Sequence, residues 1–547
     1  MSSNPRRKFL IAAAATAGAA GIAGALLWQL RSRDEHAARV DLPPVRDPEF
    51  PNALRLPGSE GMYGVLDAAG AFTMIAKPVR HALVPGKLVP MLAYEVEHQG
   101  RTLLNPVLRV RTSAQLRIKF WNALEETSII HWHGFKVDSN NDGHPHYAVP
   151  GGATYDYQYT VANRAGTYWY HPHPHPLTGK QVYLGLAGLS IVEDDEEIAL
   201  QTALDLRLGE TDVPLVLQDR RFDDSGQLVF APTADERSQG HLGKEVLVNL
   251  TPRPRFQAAN RIYRFRVLNG SNARMFRLAF RHGEELLDYY VIGTDGGLLD
   301  RPYKVSEAFL APAERMDVLL DLRRAQPGDS LTLVSLPFDP MHHEAGRPDA
   351  GANAEHAQHD AHGAAAPQMP YSPDGAALDL LRIHVRQRIP YAREVPQTLS
   401  RVAPPPAATA KPRLITLDQS KGAWRINGLT YNMMATPIVV KRGAAEVWEI
   451  RNADRSMPHP MHIHGFQSRV LSREGSPEQQ RRLAVADNGL AATDLGWKDT
   501  VLSWPGETVR IVTEFSHPYL GDQVYMVHCH NLEHEDGGMM LNLKVAG

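Results

Sequence analysis

Short runs of β-branched, aromatic and other apolar residues recur along most of the chain, and clusters of Gly, Pro, Asn and Asp separate them. Five such runs are 116–121, 155–161, 317–321, 437–440 and 509–515. Strands bounded by turn-forming residues produce this pattern, whereas the spacing of amphipathic helices is scarce. The pattern predicts an all-β protein built from β-sandwiches.

Two changes in composition indicate domain boundaries. The acidic segment 193–197 follows an apolar run, and the Pro- and Ala-rich segment 402–408 precedes the last β-rich section. A chain of 547 residues is long enough for three or four domains of roughly 150 residues each. We expect three domains, at 46–198, 199–400 and 401–547, behind an N-terminal signal and linker at 1–45. A Gly-, Ala- and His-rich surface loop is expected at about 338–373.

The first residues predict export. Arg6 and Arg7 form a twin-arginine pair, and a weakly hydrophobic Ala- and Gly-rich run follows at 10–30. This order is typical of signals read by the twin-arginine export machinery, and it predicts a periplasmic or other extracytoplasmic location. A plain transmembrane anchor is the alternative interpretation, because the run is close to the roughly 20 residues that span a bilayer. Contact with a membrane is expected only through an uncleaved signal.

The overall charge gives no reason to expect a nucleic-acid partner. The formal net charge is −3 at pH 7, and long blocks of like charge are absent from the sequence. Small molecules or ions are therefore the expected partners. The sequence has one cysteine, Cys529, so an internal disulfide is excluded.

Histidines are concentrated in pairs of the form His-x-His. With 25 His in 547 positions, random placement would give roughly one such pair, and the sequence has more. The pairs are His131/His133, His144/His146, His171/His173, His173/His175, His462/His464 and His528/His530. On a strand the two rings of a pair lie on one face, as a shared metal cluster requires.

The segment around Cys529 carries a second set of candidate ligands. His528 and His530 flank the thiol, His534 follows five residues later, and Met539 follows ten residues later. A thiolate with imidazoles and a thioether suits a blue-copper centre. Because side chains alternate along a strand, Cys529 would face one metal site while its two neighbours face another.

These residues belong to four motifs that resemble those of the multicopper oxidases, the family that includes laccases, bilirubin oxidases and bacterial cuprous oxidases. The motifs are His131-Trp132-His133-Gly134, Trp169-Tyr170-His171-Pro172-His173, His459-Pro460-Met461-His462-Ile463-His464-Gly465 and the terminal His528-Cys529-His530 segment. The resemblance implies three cupredoxin-like Greek-key β-sandwich domains and four bound copper ions.

The resemblance also implies which residues bind each copper. The type 1 copper, which receives electrons, would be bound by His459, Cys529 and His534, with Met539 as a weak axial ligand. His131 and His462 would bind the type 2 copper. The type 3 copper pair would be bound by His133, His171, His173, His464, His528 and His530.

The implied activity is that of a laccase-like oxidase. Phenolic, aryl-amine or similar donors would give single electrons to the type 1 site at Cys529, and dioxygen would be reduced to water at the other three coppers. By the same resemblance, Asp142 and Glu535 would supply protons. The alternative for Asp142 is a turn-forming role in an Asp-Gly pair, and for Glu535 it is structural support of a ligand histidine.

Two other functions stay open. A metallo-oxidase that oxidises Cu(I), Mn(II) or Fe(II) for metal tolerance would use the same ligands, and a copper-binding or scaffold protein would show little turnover. The His-rich loop bears on this choice, since it could capture copper or be a solvated insertion. Its candidate ligands are Met341, His342, His343, His356, His359, His362 and Met369.

Overall fold

The computed structural model describes residues 40–84, 86–341 and 371–547. The predicted export signal lies outside the described residues, and so does the His-rich loop from His342 to Met369. Within the described chain β-strands predominate, and each of the five apolar runs falls in a strand to within one residue at its ends. The prediction of an all-β protein is confirmed.

The first sandwich packs a sheet of six strands against a sheet of five. The strands before residue 200 are β1 (Val40–Asp41), β2 (Asn52–Ala53), β3 (Gly61–Met62), β4 (Val65–Asp67), β5 (Gly70–Val84), β6 (Lys87–His98), β7 (Arg101–Leu104), β8 (Val107–Arg111), β9 (Gln115–Asn122), β10 (Ile130–His133), β11 (Thr154–Thr160), β12 (Gly166–Pro172) and β13 (Gly188–Glu193). The order is β11-β9-β5-β6-β7-β3 in one sheet and β10-β12-β13-β8-β4 in the other. Leu116, Ile118 and Phe120 of β9 point into the core between the sheets, while the residues between them are exposed.

The second sandwich packs a seven-stranded sheet against an eight-stranded sheet. Its strands within 200–400 are β14 (Asp212–Arg220), β15 (Glu245–Val248), β16 (Thr251–Pro252), β17 (Pro254–Ala259), β18 (Ile262–Asn269), β19 (Phe276–His282), β20 (Glu285–Leu287), β21 (Tyr289–Thr294), β22 (Gly297–Val305), β23 (Glu307–Leu310), β24 (Arg315–Asp321), β25 (Ser330–Ser335) and β26 (Leu378–Arg388). The orders are β16-β15-β14-β18-β24-β21-β22 and β2-β17-β26-β25-β19-β20, with β1 on β26 and β23 on β19.

Strands β1 and β2 thus join the second sandwich, although they precede the first in sequence. β2 pairs in parallel with β17 and β1 pairs antiparallel with β26. β2 covers backbone groups of β17 that would otherwise form an open sheet edge. The predicted boundary at residue 46 does not reflect this pairing, because two-residue strands leave no periodic signal in the sequence.

The third sandwich packs two five-stranded sheets, in the orders β28-β27-β30-β34-β32 and β29-β36-β35-β31-β33. Its strands are β27 (Arg413–Ser420), β28 (Ala423–Ile426), β29 (Ile438–Lys441), β30 (Ala445–Asn452), β31 (His459–Ile463), β32 (Ser468–Glu474), β33 (Thr500–Ser503), β34 (Thr508–Glu514), β35 (Gln523–Cys529) and β36 (Met540–Ala546). Each sandwich buries its own apolar core.

The helices of the described chain are short and lie in connections. They are α1 (Thr178–Tyr183), α2 (Asp195–Leu204), α3 (Ala234–Gln239), α4 (Glu478–Arg481) and α5 (Leu532–Asp536), with 3-10 turns at Pro145–Tyr147, Asp487–Gly489 and Ala492–Asp494. Thr233 and Glu236 form a reciprocal capping box at the start of α3. Over residues 40–84, 86–341 and 371–547, none of the helices has the length and apolar character needed to cross a membrane.

The strands that carry the histidine motifs pair within each sandwich. In the first, β10 lies beside β12, with His131 opposite His171. In the third, β31 lies beside β35, with His462 opposite His528. The fold therefore presents two histidine-bearing strand pairs, one from each end of the chain.

A glycine packs tightly behind the first of these pairs. Gly143 has a φ of +84°, and a Cβ built on it would lie 2.1 Å from the carbonyl oxygen of Ile130 and 2.6 Å from the Cα of His131. Both are backbone atoms, which cannot rotate aside. Gly152 has a φ of +83° with no atom within 4 Å of such a Cβ. The two glycines share a backbone conformation but differ in the space available to a Cβ atom.

We expect Gly143→Ala to lower the Tm of the metal-free protein more than Gly152→Ala. The positive φ costs both variants about 1–2 kcal/mol, and overpacking adds about 1–3 kcal/mol at residue 143 alone. Each kcal/mol of lost stability lowers the Tm by about 2–4 °C for a domain of roughly 150–250 residues. Scanning calorimetry of both variants measures the difference, and equal Tm values would contradict the close approach to β10.

Candidate metal centres

Eight histidine rings meet between the first and third sandwiches. All are buried: His131, His133, His171, His173, His462, His464, His528 and His530. The Nε2 atom of His528 lies 3.0 Å from that of His464 and 3.4 Å from that of His173. These three rings, from both sandwiches, offer nitrogens within 4.8 Å of one another, close enough to share one ion.

The remaining five rings form two further groups. The Nε2 atoms of His131 and His462 lie 3.4 Å apart, one from each sandwich. The Nδ1 of His133 lies 3.4 Å from the Nε2 of His171, and the ring of His530 has its centroid within about 5 Å of both of those rings. The motif resemblance implies one pair and one set of six, and these groups are compatible with that division. The structure brings all eight residues together, and their individual copper assignments stay a prediction.

Hydrogen bonds hold the outer nitrogens of several rings. The Nδ1 of His131 lies 2.6 Å from the carbonyl oxygen of Asp142, and that of His464 lies 2.7 Å from the Oδ2 of Asp142. The Nδ1 of His462 donates to the carbonyl oxygen of Asp499, at 2.8 Å. Because these oxygens accept, the hydrogen sits on Nδ1 and the Nε2 lone pair points into the cluster, as metal binding requires.

The cluster also contains nitrogens without a partner. Both ring nitrogens of His530 and the Nδ1 of His173 are buried and lack a hydrogen-bond partner among the described residues. Burial lowers the pKa of His530, His462 and His133 well below the usual value, so these rings are neutral near pH 7. Neutral, unpaired imidazoles are ligands for copper, and the residues present therefore fit a copper cluster.

A second centre surrounds the only cysteine. The Sγ of Cys529 lies 3.4 Å from the Nδ1 of His459 and 3.5 Å from the Nδ1 of His534. The Nε2 of His534 donates to the carbonyl oxygen of Ser238, which turns its Nδ1 toward the sulfur. Met539 is buried in the same core cluster as Cys529. The structure thus brings His459, Cys529 and His534 together, and Met539 lies in the same core.

Burial decides the state of the thiol in the metal-free protein. Cys529 is fully buried, and this burial raises the pKa of its thiol well above the usual value. Metal binding requires the thiolate, so a cation at this centre would displace the proton. His528 and His530 reach the histidine cluster while Cys529 lies in the third core, so adjacent residues connect the two centres.

The two predicted proton donors both contact the cluster. Burial, and then Asp138, raise the pKa of Asp142 well above the usual value, and its Oδ1 is unpartnered among the described residues. Glu535 places its Oε2 3.1 Å from the Nδ1 of His528 and its Oε1 3.5 Å from the Nε2 of His173. Burial raises the pKa of Glu535, but those two rings outweigh it and the pKa falls to about 2. The pKa values of the two acids are therefore shifted in opposite directions.

Several residues at these centres were not predicted from the sequence. Asp499 places its Oδ1 3.1 Å from the Nε2 of His133. The ring of Trp424 packs against His459 and His534, with centroids 4.8 and 5.1 Å away. Both residues are far in sequence from the motifs they contact, and no residue pattern marks them.

Two cavities approach the Cys529 centre from either side of α3. The smaller, of about 180 Å³, reaches His534 and is lined by Trp424 and Glu533 among others. The larger, of about 460 Å³, lies beside the residues that flank His459. Its lining includes Met275, Met341, Met457, Asp374 and Pro460. Both cavities offer space for an electron donor.

Comparison with known proteins agrees with this geometry. Family models described as multicopper oxidase match residues 94–197 and 404–547. A laccase of Bacillus subtilis is 31% identical over 461 residues, which cover 76% of this chain and 79% of the laccase.

Two solved structures agree over most of their length. The McoA multicopper oxidase of Aquifex aeolicus is 39% identical with a TM-score of 0.78, covering 91% of this chain and 99% of that one. A multicopper oxidase of Campylobacter jejuni, described as a metallo-oxidase, is 26% identical with a TM-score of 0.67, covering 91% and 98%. The three sandwiches are therefore cupredoxin-like, as expected, and this chain belongs to the multicopper oxidase family.

Proposed function

We propose that this protein is a laccase-like oxidase that takes single electrons from a small donor at the Cys529 centre and reduces dioxygen to water at the histidine cluster. The observation that carries the proposal is that both ligand sets are complete and that the consecutive residues His528, Cys529 and His530 link the two centres. We propose four copper ions: one type 1 ion on His459, Cys529, His534 and Met539, one type 2 ion on His131 and His462, and a type 3 pair on His133, His171, His173, His464, His528 and His530. When bound, copper supplies one-electron redox chemistry, and four reduced ions match the four electrons that convert dioxygen to two waters.

The protein's own contribution begins with the connection between the centres. Cys529 is bonded through the backbone to His528 and His530, so electrons need no through-space step to leave the type 1 site. Trp424 packs on both type 1 histidines, which are buried. A dry, rigid site lowers the reorganisation that accompanies each electron transfer.

Protons are supplied by groups that the fold places against the cluster. The raised pKa of Asp142 favours the protonated form of this acid, next to His464. Glu535 is ionised near pH 7 and lies between His528 and His173, where it can accept a proton and pass it on. The turn role of Asp142 is compatible with this one, since Asp142 also precedes Gly143 at a tight turn.

The smaller cavity favours a phenol or aryl amine as donor. Loss of an electron from a phenol is coupled to loss of its proton, so a base beside the electron acceptor assists the reaction. Glu533 lines this cavity together with His534, and burial raises the pKa of Glu533 to about 7. A carboxyl with this pKa can accept that proton near neutrality.

The larger cavity supports a second candidate, oxidation of a soft metal ion. Met275, Met341 and Met457 line it, and thioether ligands select Cu(I). The structurally similar Campylobacter jejuni protein is described as a metallo-oxidase. For either donor we propose export by the twin-arginine machinery to the periplasm, on the basis of Arg6 and Arg7.

Cys529→Ser should abolish oxidase turnover and the blue absorption. The substitution removes the thiolate and leaves all eight cluster histidines in place, so we expect one copper ion fewer per chain. Oxygen uptake, visible absorption and copper analysis of the loaded protein test this. Retained turnover in the variant would refute the proposed electron route, and a copper-loaded wild type that consumes no oxygen with any donor would support the copper-binding alternative.

Glu535→Gln and Glu533→Gln should affect opposite halves of the reaction. Both residues are buried in α5, but only Glu535 contacts the cluster. We expect Glu535→Gln to slow reoxidation of the reduced protein by dioxygen about 10²–10⁴-fold, the usual contribution of a positioned proton-transfer group. Glu533→Gln should slow phenol oxidation and spare reoxidation. Stopped-flow measurement of each half separately tests the assignment, which equal effects of both variants would exclude.

Oxygen uptake with a phenol or with Cu(I) as donor should separate the two candidates. If Cu(I) is the donor, Met457→Leu should raise the KM for Cu(I) about tenfold or more, because leucine keeps the volume and removes the thioether. Met434→Leu is the control, since Met434 is 82% exposed and lies outside the cavity lining. Phenol turnover with no response of Cu(I) kinetics to Met457→Leu would reject the metal-oxidase candidate.

A further inference from the structure

A group of buried charges joins the second sandwich to the histidine cluster. Asp295, Glu314 and Arg315 come from the second sandwich, and Lys498 and Asp499 come from the third. Lys498 lies 3.1 Å from Asp295 and 3.0 Å from Glu314. The second sandwich contributes none of the predicted copper ligands, yet it is bonded to residues that contact them.

Arg315 is the centre of this group, and all of its side-chain N–H groups are used. Its Nη1 donates to the Oδ1 of Asp499 at 2.8 Å, and its Nη2 donates to the Oδ2 of the same carboxylate. The other donors bond the backbone carbonyls of Ala313, Asp295 and, at 3.0 Å from Nε, Thr167 of the first sandwich. One planar guanidinium therefore connects all three sandwiches.

Asp499 in turn contacts two cluster histidines, His133 of the predicted type 3 set and His462 of the predicted type 2 pair. Its carboxylate lies 3.1 Å from the Nε2 of His133, and its backbone carbonyl lies 2.8 Å from the Nδ1 of His462. The Nδ1 of His133 thereby faces the cluster, as does the Nε2 of His462. A displacement of residue 499, side chain and backbone together, would therefore disturb the hydrogen bonds of both rings.

The packing around Asp499 leaves no room for a side chain at residue 134. Gly134 follows His133 with a φ of +83°, and a Cβ there would lie 2.4 Å from the Oδ2 of Asp499 and 3.0 Å from the Nη2 of Arg315. A side chain at this position would displace the ion pair. The glycine after the first histidine pair is thus explained by the close approach of the Arg315 and Asp499 side chains.

We propose that Arg315 is a positioning residue for the copper cluster, acting through Asp499 on His133 and His462. It fixes the orientation of one ligand in the predicted type 2 pair and one in the predicted type 3 set. This inference rests on the cluster proposed above. Lysine cannot replace arginine here, because an ammonium is a point charge without the planar pair of donors that fixes a carboxylate.

The test compares Arg315→Lys with Arg473→Lys. Arg473 is also a buried arginine with a two-point contact, 2.9 Å from each oxygen of Asp494. Within the described chain neither Asp494 nor Glu507, its other acidic partner, contacts a cluster histidine. Both variants should lower the Tm of the metal-free protein, so Arg473→Lys controls for the loss of stability that the substitution itself causes.

The decisive readout is copper retention. In Arg315→Lys we expect a chelator to remove cluster copper about 10–100-fold more readily than in the wild type. The electron paramagnetic resonance signal of the type 2 copper should change, while the blue absorption of the type 1 copper stays. Arg473→Lys should match the wild type in all three. Wild-type retention in Arg315→Lys, or equal loss in both variants, would overturn the proposal.

Asp499→Asn provides a second route if Arg315→Lys does not fold. Asparagine keeps an oxygen that can accept from His133 and removes the charge that Arg315 orients. We expect this variant also to lose cluster copper more readily than the wild type, and wild-type retention would overturn the positioning role. A wild-type protein that binds no copper in the cluster would instead refute the proposed function, so the two failures are distinguishable.

Discussion

The structure depends on the burial of eight imidazoles at one interface between two sandwiches. Neutral rings with unpaired nitrogens are costly to bury, since each unsatisfied polar atom loses its bonds to water. Backbone carbonyls and the carboxylate of Asp142 satisfy outer nitrogens, and the inner ones are left for metal. This requirement fixes the relative position of β10, β12, β31 and β35, and the rest of the fold maintains it.

Much of the site could be predicted from the sequence because its candidate ligands form short motifs of neighbouring residues. His-x-His spacing on strands, and a lone cysteine between two histidines, specify faces and ligands without knowledge of the fold. The strand runs were equally readable, since β9 alternates buried and exposed residues along its whole length. These features depend on contacts within one strand or between neighbouring strands.

What could not be predicted depends on contacts between distant segments. Asp499 and Arg315 are single charged residues whose importance arises only when three sandwiches pack together. Trp424 meets His459 and His534 across the third sandwich in the same way. The pairing of β1 and β2 with the second sandwich was missed for a related reason, because two hydrogen-bonded residues leave no periodicity.

The pairing of β1 and β2 with the second sandwich restricts the movement of the first sandwich relative to the second. The second sandwich takes part of its eight-stranded sheet from residues that precede the first sandwich, so its chain is discontinuous. The first sandwich is then an insertion between two parts of the second, held at both ends. These two connections limit how far the first sandwich can move away from the second. The histidines of β10 and β12 are restrained in the same way, because they belong to the first sandwich. The second sandwich contributes no predicted copper ligand, but it restrains the position of the first sandwich, which carries half of the cluster histidines.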